Sequence, residues 1–178
     1  MSQVPTALYP SLFRRFAGLG YEGLVVAAIV LAGGFAFAGG AVALKALFGA
    51  YGATAPGAVE RVSLQILLAA LLGAYFVRSW TRGGQTLAMK AWQLRVVRPD
   101  GHGIDARRAL ARFALAGGAL GSGLVAALWL WRHPASIAGW FAILPATVDV
   151  AWAIGDRDRQ FLHDRLSGTR VVRIDPAA

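Results

Sequence analysis

The run FAGLGYEGLVVAAIVLAGGFAFAGGAVAL, from Phe16 to Leu44, decides the fold of this chain. Its only charged residue is Glu22, and none follows between Leu24 and Leu44. A helix needs roughly 20 apolar residues to cross about 30 Å of hydrocarbon. The segment therefore predicts a helix that spans a membrane.

Three more apolar segments follow, and the composition agrees with them. The chain is 57% hydrophobic and 15% charged, whereas about a quarter of the residues of an ordinary soluble domain are charged. We predict an all-α membrane protein that forms one domain over residues 1–178. Its four transmembrane helices are expected at about 16–44, 62–79, 109–131 and 137–155, with a surface arm before them (1–13) and a loop after the first (45–59). Gly117 and Gly121 have the GxxxG spacing typical of close helix packing, although glycine is abundant throughout.

Two short segments outside the apolar runs predict a β-ribbon. Leu94-Arg95-Val96-Val97-Arg98 is closely repeated by Thr169-Arg170-Val171-Val172-Arg173. Pro99-Asp100-Gly101 after the first segment is a turn pattern. If the segments pair, they connect the middle loop to the C-terminus; the alternative is amphipathic coil at the membrane surface. Residues 85–92, just before the first segment, predict a short amphipathic helix.

The distribution of basic residues predicts the orientation. With four spans, the N-terminal arm, the middle loop and the C-terminal tail lie on one side and carry fifteen lysines and arginines, against three on the other side: Lys45, Arg61 and Arg132. The positive-inside rule therefore predicts that both termini and the predicted ribbon are cytoplasmic.

The composition also excludes several classes of function. The net charge of +9 would suggest nucleic acid in a soluble protein, but next to apolar spans it indicates basic loops facing the lipid bilayer, including anionic lipids. The chain has no cysteine, which excludes thiolate metal sites and disulfides. Its three histidines have no metal-ligand spacing, and no nucleophile or cofactor-binding loop can be assembled. We expect no cofactor, no metal, no nucleic-acid partner and no enzymatic activity.

The charged residues near the membrane edge are the candidate site. Glu22 lies about 10 Å along a helix from Arg15, and Asp149 precedes the end of the fourth helix by a similar rise, so both acids are expected at comparable depth. Arg15 is the expected partner of Glu22, because seven residues place both side chains on one helix face. Arg112 is the other nearby cation, and Asp164 in the tail is expected to pair with an arginine. The cluster suggests a site for a cation, a proton or a small charged solute; the alternative is an ion-pair network that only fixes helix register.

Three stretches together resemble the RDD family of small bacterial membrane proteins, named for one arginine and two aspartates. Arg14-Arg15 followed by Glu22 resembles the opening motif, with glutamate where the family has aspartate. The stretch from Gly84 to Gly101 resembles the second block, with Ala88 where glycine is usual. Residues 160–169 resemble the closing block, in which Asp164 matches the second aspartate. The resemblance implies a multi-spanning protein of the bacterial inner membrane, for which transport is sometimes suggested.

Two functions are consistent with these patterns. The first is transport or ion exchange through the polar cluster; four short helices form a thin wall, so this predicts a homo-oligomer. The second is a membrane adaptor or assembly protein that presents its basic loop to a partner or to anionic lipid.

Overall fold

A computed structural model describes residues 9–48 and 57–174 of the chain. Most of the predicted surface arm and of the predicted 45–59 loop lies outside the described residues. The helices and strands in chain order are α1 (Leu12–Leu47), α2 (Ala58–Arg82), α3 (Leu87–Ala91), β1 (Leu94–Val97), α4 (Ala106–Arg132), α5 (Ile137–Gly155), α6 (Leu162–Leu166) and β2 (Arg170–Arg173).

The four long helices α1, α2, α4 and α5 are long and apolar enough to cross a membrane. The mean hydropathy of their most apolar windows lies between 1.6 and 2.2, yet only 6–17% of each window is buried inside the protein. Helices that are apolar on nearly every face and packed on few neighbours need lipid around them. The prediction of an all-α membrane protein with four transmembrane helices is confirmed.

Side-chain caps fix the starts of three long helices. Ser11 accepts a hydrogen bond from the Arg14 N–H before α1, and Asp105 accepts one from the Arg108 N–H before α4. Ser136 does the same for α5. Each cap satisfies a backbone N–H that has no partner inside the helix, so the chain enters these helices at defined residues.

The predicted pairing of the two repeated segments is confirmed, because β1 and β2 form an antiparallel ribbon. Leu94 lies opposite Arg173 and Val97 opposite Arg170. Gly84 supports the ribbon from the side: its carbonyl accepts the Val96 N–H at 2.7 Å. Its φ of +69° and the closeness of the Val96 carbonyl oxygen leave no room for a side chain.

The main buried core lies beside this ribbon and not in the middle of the spans. Trp80 at the end of α2 and Ala109 at the start of α4 pack with side chains of the ribbon and the preceding loops, namely Leu94, Val96, Ile104 and Val171. We call this part of the molecule the ribbon end. It also contains α3, which packs on α1, and α6, which packs on α4 and α5.

The spans pack in the order α1 on α2, α2 on α4, and α4 on α5. The close packing suggested by Gly117 and Gly121 is not found, because the space beside both is open. The tight contact is instead at Gly123, where an added Cβ would collide with the Cβ of Ala146 on α5. The GxxxG pattern therefore identified the correct helix but the wrong glycines.

We expect Gly123→Val to destabilise the protein by about 1–3 kcal/mol, the usual cost of overpacking a close contact. The matched control is Gly117→Val, the same change on the same helix in open space. The midpoint of thermal unfolding in detergent, followed by near-ultraviolet circular dichroism, measures the difference. Equal midpoints for the two variants would contradict the α4–α5 packing.

Candidate functional site

Asp164 is the centre of a buried ion network at the ribbon end. The carboxylate has no exposed surface. Its Oδ2 accepts a hydrogen bond from Arg15 of α1, and its Oδ1 accepts one from Arg112 of α4. Oδ2 also accepts the backbone N–H of Phe161 at 3.0 Å. One carboxylate thus joins α1, α4 and α6.

Both arginines have further partners that hold them in place. Arg15 donates from Nη1 to the Gln160 side-chain oxygen at 2.9 Å, and its guanidinium lies 4.2 Å from the centre of the Phe161 ring. Arg112 donates to the Thr169 hydroxyl at 2.9 Å. A guanidinium can be buried at acceptable cost only when charge and hydrogen bonds both compensate it, and this network supplies both.

Gln160 connects the ion network to the ribbon. It is completely buried. Its side-chain oxygen accepts the Val171 N–H at 2.7 Å, and its side-chain nitrogen donates to the Val171 carbonyl at 3.0 Å. The amide therefore bonds to β2 as the backbone of a neighbouring strand would. Because it also accepts a hydrogen bond from Arg15, it fixes Arg15 relative to the ribbon.

The two arginines set the ionisation of Asp164. Burial by itself would raise the pKa of this carboxyl, but Arg112 and Arg15 outweigh that effect and hold the pKa well below its ordinary value of 3.8. Asp164 is therefore a permanent anion across the physiological pH range. It serves as a fixed counter-charge, which makes it unsuitable for carrying a proton.

Asp149 of α5 binds α6 without an arginine. Its Oδ1 accepts the backbone N–H of His163, and its Oδ2 lies 2.7 Å from Nδ1 of the same residue. The other ring nitrogen of His163 is 3.5 Å from Asp164. The imidazole thus lies between two carboxylates.

The Asp149–His163 pair lies at the wall of a cavity of about 390 Å³ between α4, α5 and α6. The other lining residues are apolar: Leu115, Ala119, Phe141, Leu144, Pro145, Val148, Leu162 and Leu166. The cavity therefore adjoins the pair on the apolar side of these helices.

Glu22 has a separate environment on α1. One oxygen accepts the Tyr75 hydroxyl of α2 at 3.0 Å, and the other accepts the hydroxyl of Thr86. Thr86 also caps α3, where its oxygen accepts the Met89 N–H. In the described part of the chain, no lysine or arginine lies within ion-pair distance of Glu22.

The predicted cluster is therefore divided in the structure. Arg15, Arg112 and Asp164 meet directly, and Asp149 joins them through His163. The predicted Arg15–Glu22 pair is wrong, because Arg15 is taken by Asp164 from the other end of the chain. Asp149 is bound instead by His163.

Sequence reasoning missed four residues that complete these contacts: Gln160, His163, Tyr75 and Thr86. Gln160 and His163 lie inside the closing stretch that carries the family resemblance, which was the available indication for both. No pattern in the sequence singled out Tyr75.

The structure thus defines a polytopic helical membrane protein whose polar end is tied together by buried ions. A family model confirms the resemblance noted in the sequence: the RDD family model matches residues 9–168. The chain belongs to the RDD family. Comparison with curated proteins and with solved structures gives no match.

We expect Asp164→Asn to destabilise the protein by about 3–5 kcal/mol, because it leaves two buried guanidinium groups without their anion. Asp100→Asn is the control, since Asp100 is also paired with an arginine but lies on an exposed turn. Chemical denaturation in detergent measures both. A loss no larger than that of Asp100→Asn would contradict the central role of Asp164.

The lowered pKa of Asp164 also predicts that the protein loses stability at acidic pH. A lowered folded-state pKa adds stability that is complete above the ordinary value of 3.8 and is lost as the pH falls below it. The unfolding midpoint of the natural sequence should therefore drop on acidification below about pH 4, and that of Asp164→Asn should change much less there.

Proposed function

We propose that this protein is a non-enzymatic ion exchanger, in which Glu22 and Asp149 take up and release protons or small cations. The observation that carries the proposal is that both buried arginines bind the same aspartate. Arg15 and Arg112 are both bound to Asp164, so among the described residues neither acid on the membrane helices forms an ion pair with a guanidinium.

The partners of an acid decide whether it can exchange a proton. A carboxylate held by two guanidinium groups stays ionised. Glu22 has two neutral hydroxyl donors, and Asp149 has an imidazole and a backbone N–H. Acids that lie within membrane helices and lack a fixed counter-charge are typical of proton and ion pathways.

The proposed setting is the inner membrane of a bacterium, with both termini in the cytoplasm. Fifteen of the eighteen basic residues are on the side of the termini and the ribbon, and the positive-inside rule favours the cytoplasm for that side. The ribbon end would then face the cytoplasm, with Asp149 and Glu22 below it.

A homo-oligomer is part of this proposal. Most of the surface of α1 and α2 faces outward, and no described helix covers the side of α1 that bears Leu24, Leu31 and Phe35. A pathway for ions needs protein or water around it. A second copy against this face of α1 would cover the exposed side chains, on the side of the helix opposite Glu22.

Flux measurements in proteoliposomes test the proposal. We expect Glu22→Gln and Asp149→Asn each to reduce proton-coupled sodium or potassium flux to the rate of empty liposomes, because both amides keep hydrogen bonding but cannot ionise. Asp100→Asn on the exposed turn should keep the flux of the natural sequence. Unchanged flux in both amide variants would contradict ion exchange through these acids.

A second candidate function is a membrane adaptor that binds a protein partner or anionic lipid through its basic loop. The supporting observation is the rigid ribbon end, which presents exposed Arg107 at the start of α4 beside Arg108, itself paired with Asp105. Basic residues close to a bilayer favour anionic surfaces, which is why nucleic acid is not proposed as a partner.

Affinity purification from membranes distinguishes this candidate. If the adaptor function holds, a co-purifying partner should be lost from Arg107→Gln/Arg108→Gln, because the basic contact is removed. Arg78→Gln/Arg82→Gln removes the same charge at the end of α2 and serves as the control. Retention of the partner by the Arg107/Arg108 variant would argue against the adaptor function.

A further inference from the structure

A second groove lies on the outer side of α5, away from the ion network. Its volume is about 630 Å³, within the usual range for a ligand site. The part along the helix is lined by Val148, Ala151 and Trp152. The part beyond the helix end is lined by Gly155, Asp156, Arg157 and Arg165. The groove is therefore apolar at one end and charged at the other.

Arg165 is oriented by two aspartates at the charged end of the groove. Its Nε and one terminal nitrogen, Nη2, donate to Asp156 at 2.9 and 3.0 Å, and Nη2 also donates to Asp158 at 2.8 Å. These bonds orient the guanidinium and neutralise the Asp156 carboxylate in the lining. The remaining nitrogen, Nη1, has no partner among the described residues, so one donor edge is available.

Arg157 supplies the unpaired positive charge of the groove. It is exposed and has no ion pair or hydrogen bond to any described side chain. Arg165 is shared between Asp156 and Asp158, so Arg157 is the cation of the lining that no described carboxylate pairs with. An anion placed here would meet Arg157 and the free edge of Arg165.

The depth of the groove matches the edge of a bilayer. The 19 residues of α5 rise about 28 Å at 1.5 Å per residue, close to the roughly 30 Å of the hydrocarbon core. The end of α5 therefore lies at the boundary, where Trp152 suits the interface. The arginines lie at the level of lipid headgroups.

We propose that this groove binds one anionic phospholipid, with its phosphate at Arg157 and Arg165 and an acyl chain along Val148, Ala151 and Trp152. The charge favours an anion, and the apolar trough and the depth favour a lipid over a soluble anion. This site is separate from Glu22 and Asp149, so it stands whether or not the protein exchanges ions.

Native mass spectrometry of the detergent-purified protein tests the site, with phosphatidylglycerol and phosphatidylcholine as probes. We expect a retained phosphatidylglycerol on the natural sequence, and about fivefold weaker binding in Arg157→Gln, the effect of losing one basic residue near an anionic lipid. Arg159→Gln is the matched control: it removes the same charge two residues away, outside the groove lining. It should bind like the natural sequence.

Two more measurements separate the parts of the proposal. Ala151→Phe fills the trough and should weaken phosphatidylglycerol binding while leaving the arginines in place. Glycerol phosphate, which has the anion without the chains, should not displace the lipid. Equal binding by Arg157→Gln and Arg159→Gln, equal retention of the two lipids, or displacement by glycerol phosphate would each overturn the proposal.

Discussion

The structure depends on one carboxylate that two guanidinium groups reach from different helices. Asp164 is fully buried, and removing it from water is unfavourable by itself. Arg15 and Arg112 make its burial acceptable, and Asp164 does the same for them. The arginines come from α1 and α4, and the acid comes from α6. These three helices therefore cannot separate at the ribbon end without leaving a buried charge unpaired inside the protein. This constraint positions the C-terminal segment, the ribbon and the first helix together.

The same pairing explains why Glu22 and Asp149 have different partners from Asp164. The described chain has two buried arginines at this depth, and both are bound to one aspartate. Glu22 is consequently bound by hydroxyl groups and Asp149 by an imidazole, and neither makes an ion pair with an arginine in the described residues. A single division of charge thus leaves one buried aspartate bound by two guanidinium groups and two acids that are bound by hydroxyl, imidazole and backbone donors.

Much of the architecture could be predicted because it follows from local composition. A run such as Leu24 to Leu44 has no other stable environment than a bilayer. The repeated segments around Leu94 and Val171 both have a strand pattern, and this similarity predicts that they pair with each other. The partners in the site could not be predicted in this way. Helical spacing correctly related Arg15 to Glu22 along α1, but the choice of partner was made by Asp164, nearly 150 residues away. Local periodicity contains no information on such a contact, and the same holds for Tyr75 against Glu22.

The distribution of packing also bears on how an exchanger of this design would move. The buried core and the ions are concentrated at the ribbon end, whereas the middles of α1 and α2 have few protein neighbours. Regions with few buried contacts open at lower free energy than a packed core. Movement is therefore expected at the ends of the long helices far from the ribbon, with the Asp164 network as the fixed point. Glu22 is a little more than one turn beyond Gly18, a buried residue near the start of α1. Its contacts with Tyr75 and Thr86 therefore lie close to the bond between Arg15 and Asp164, which fixes the start of the same helix.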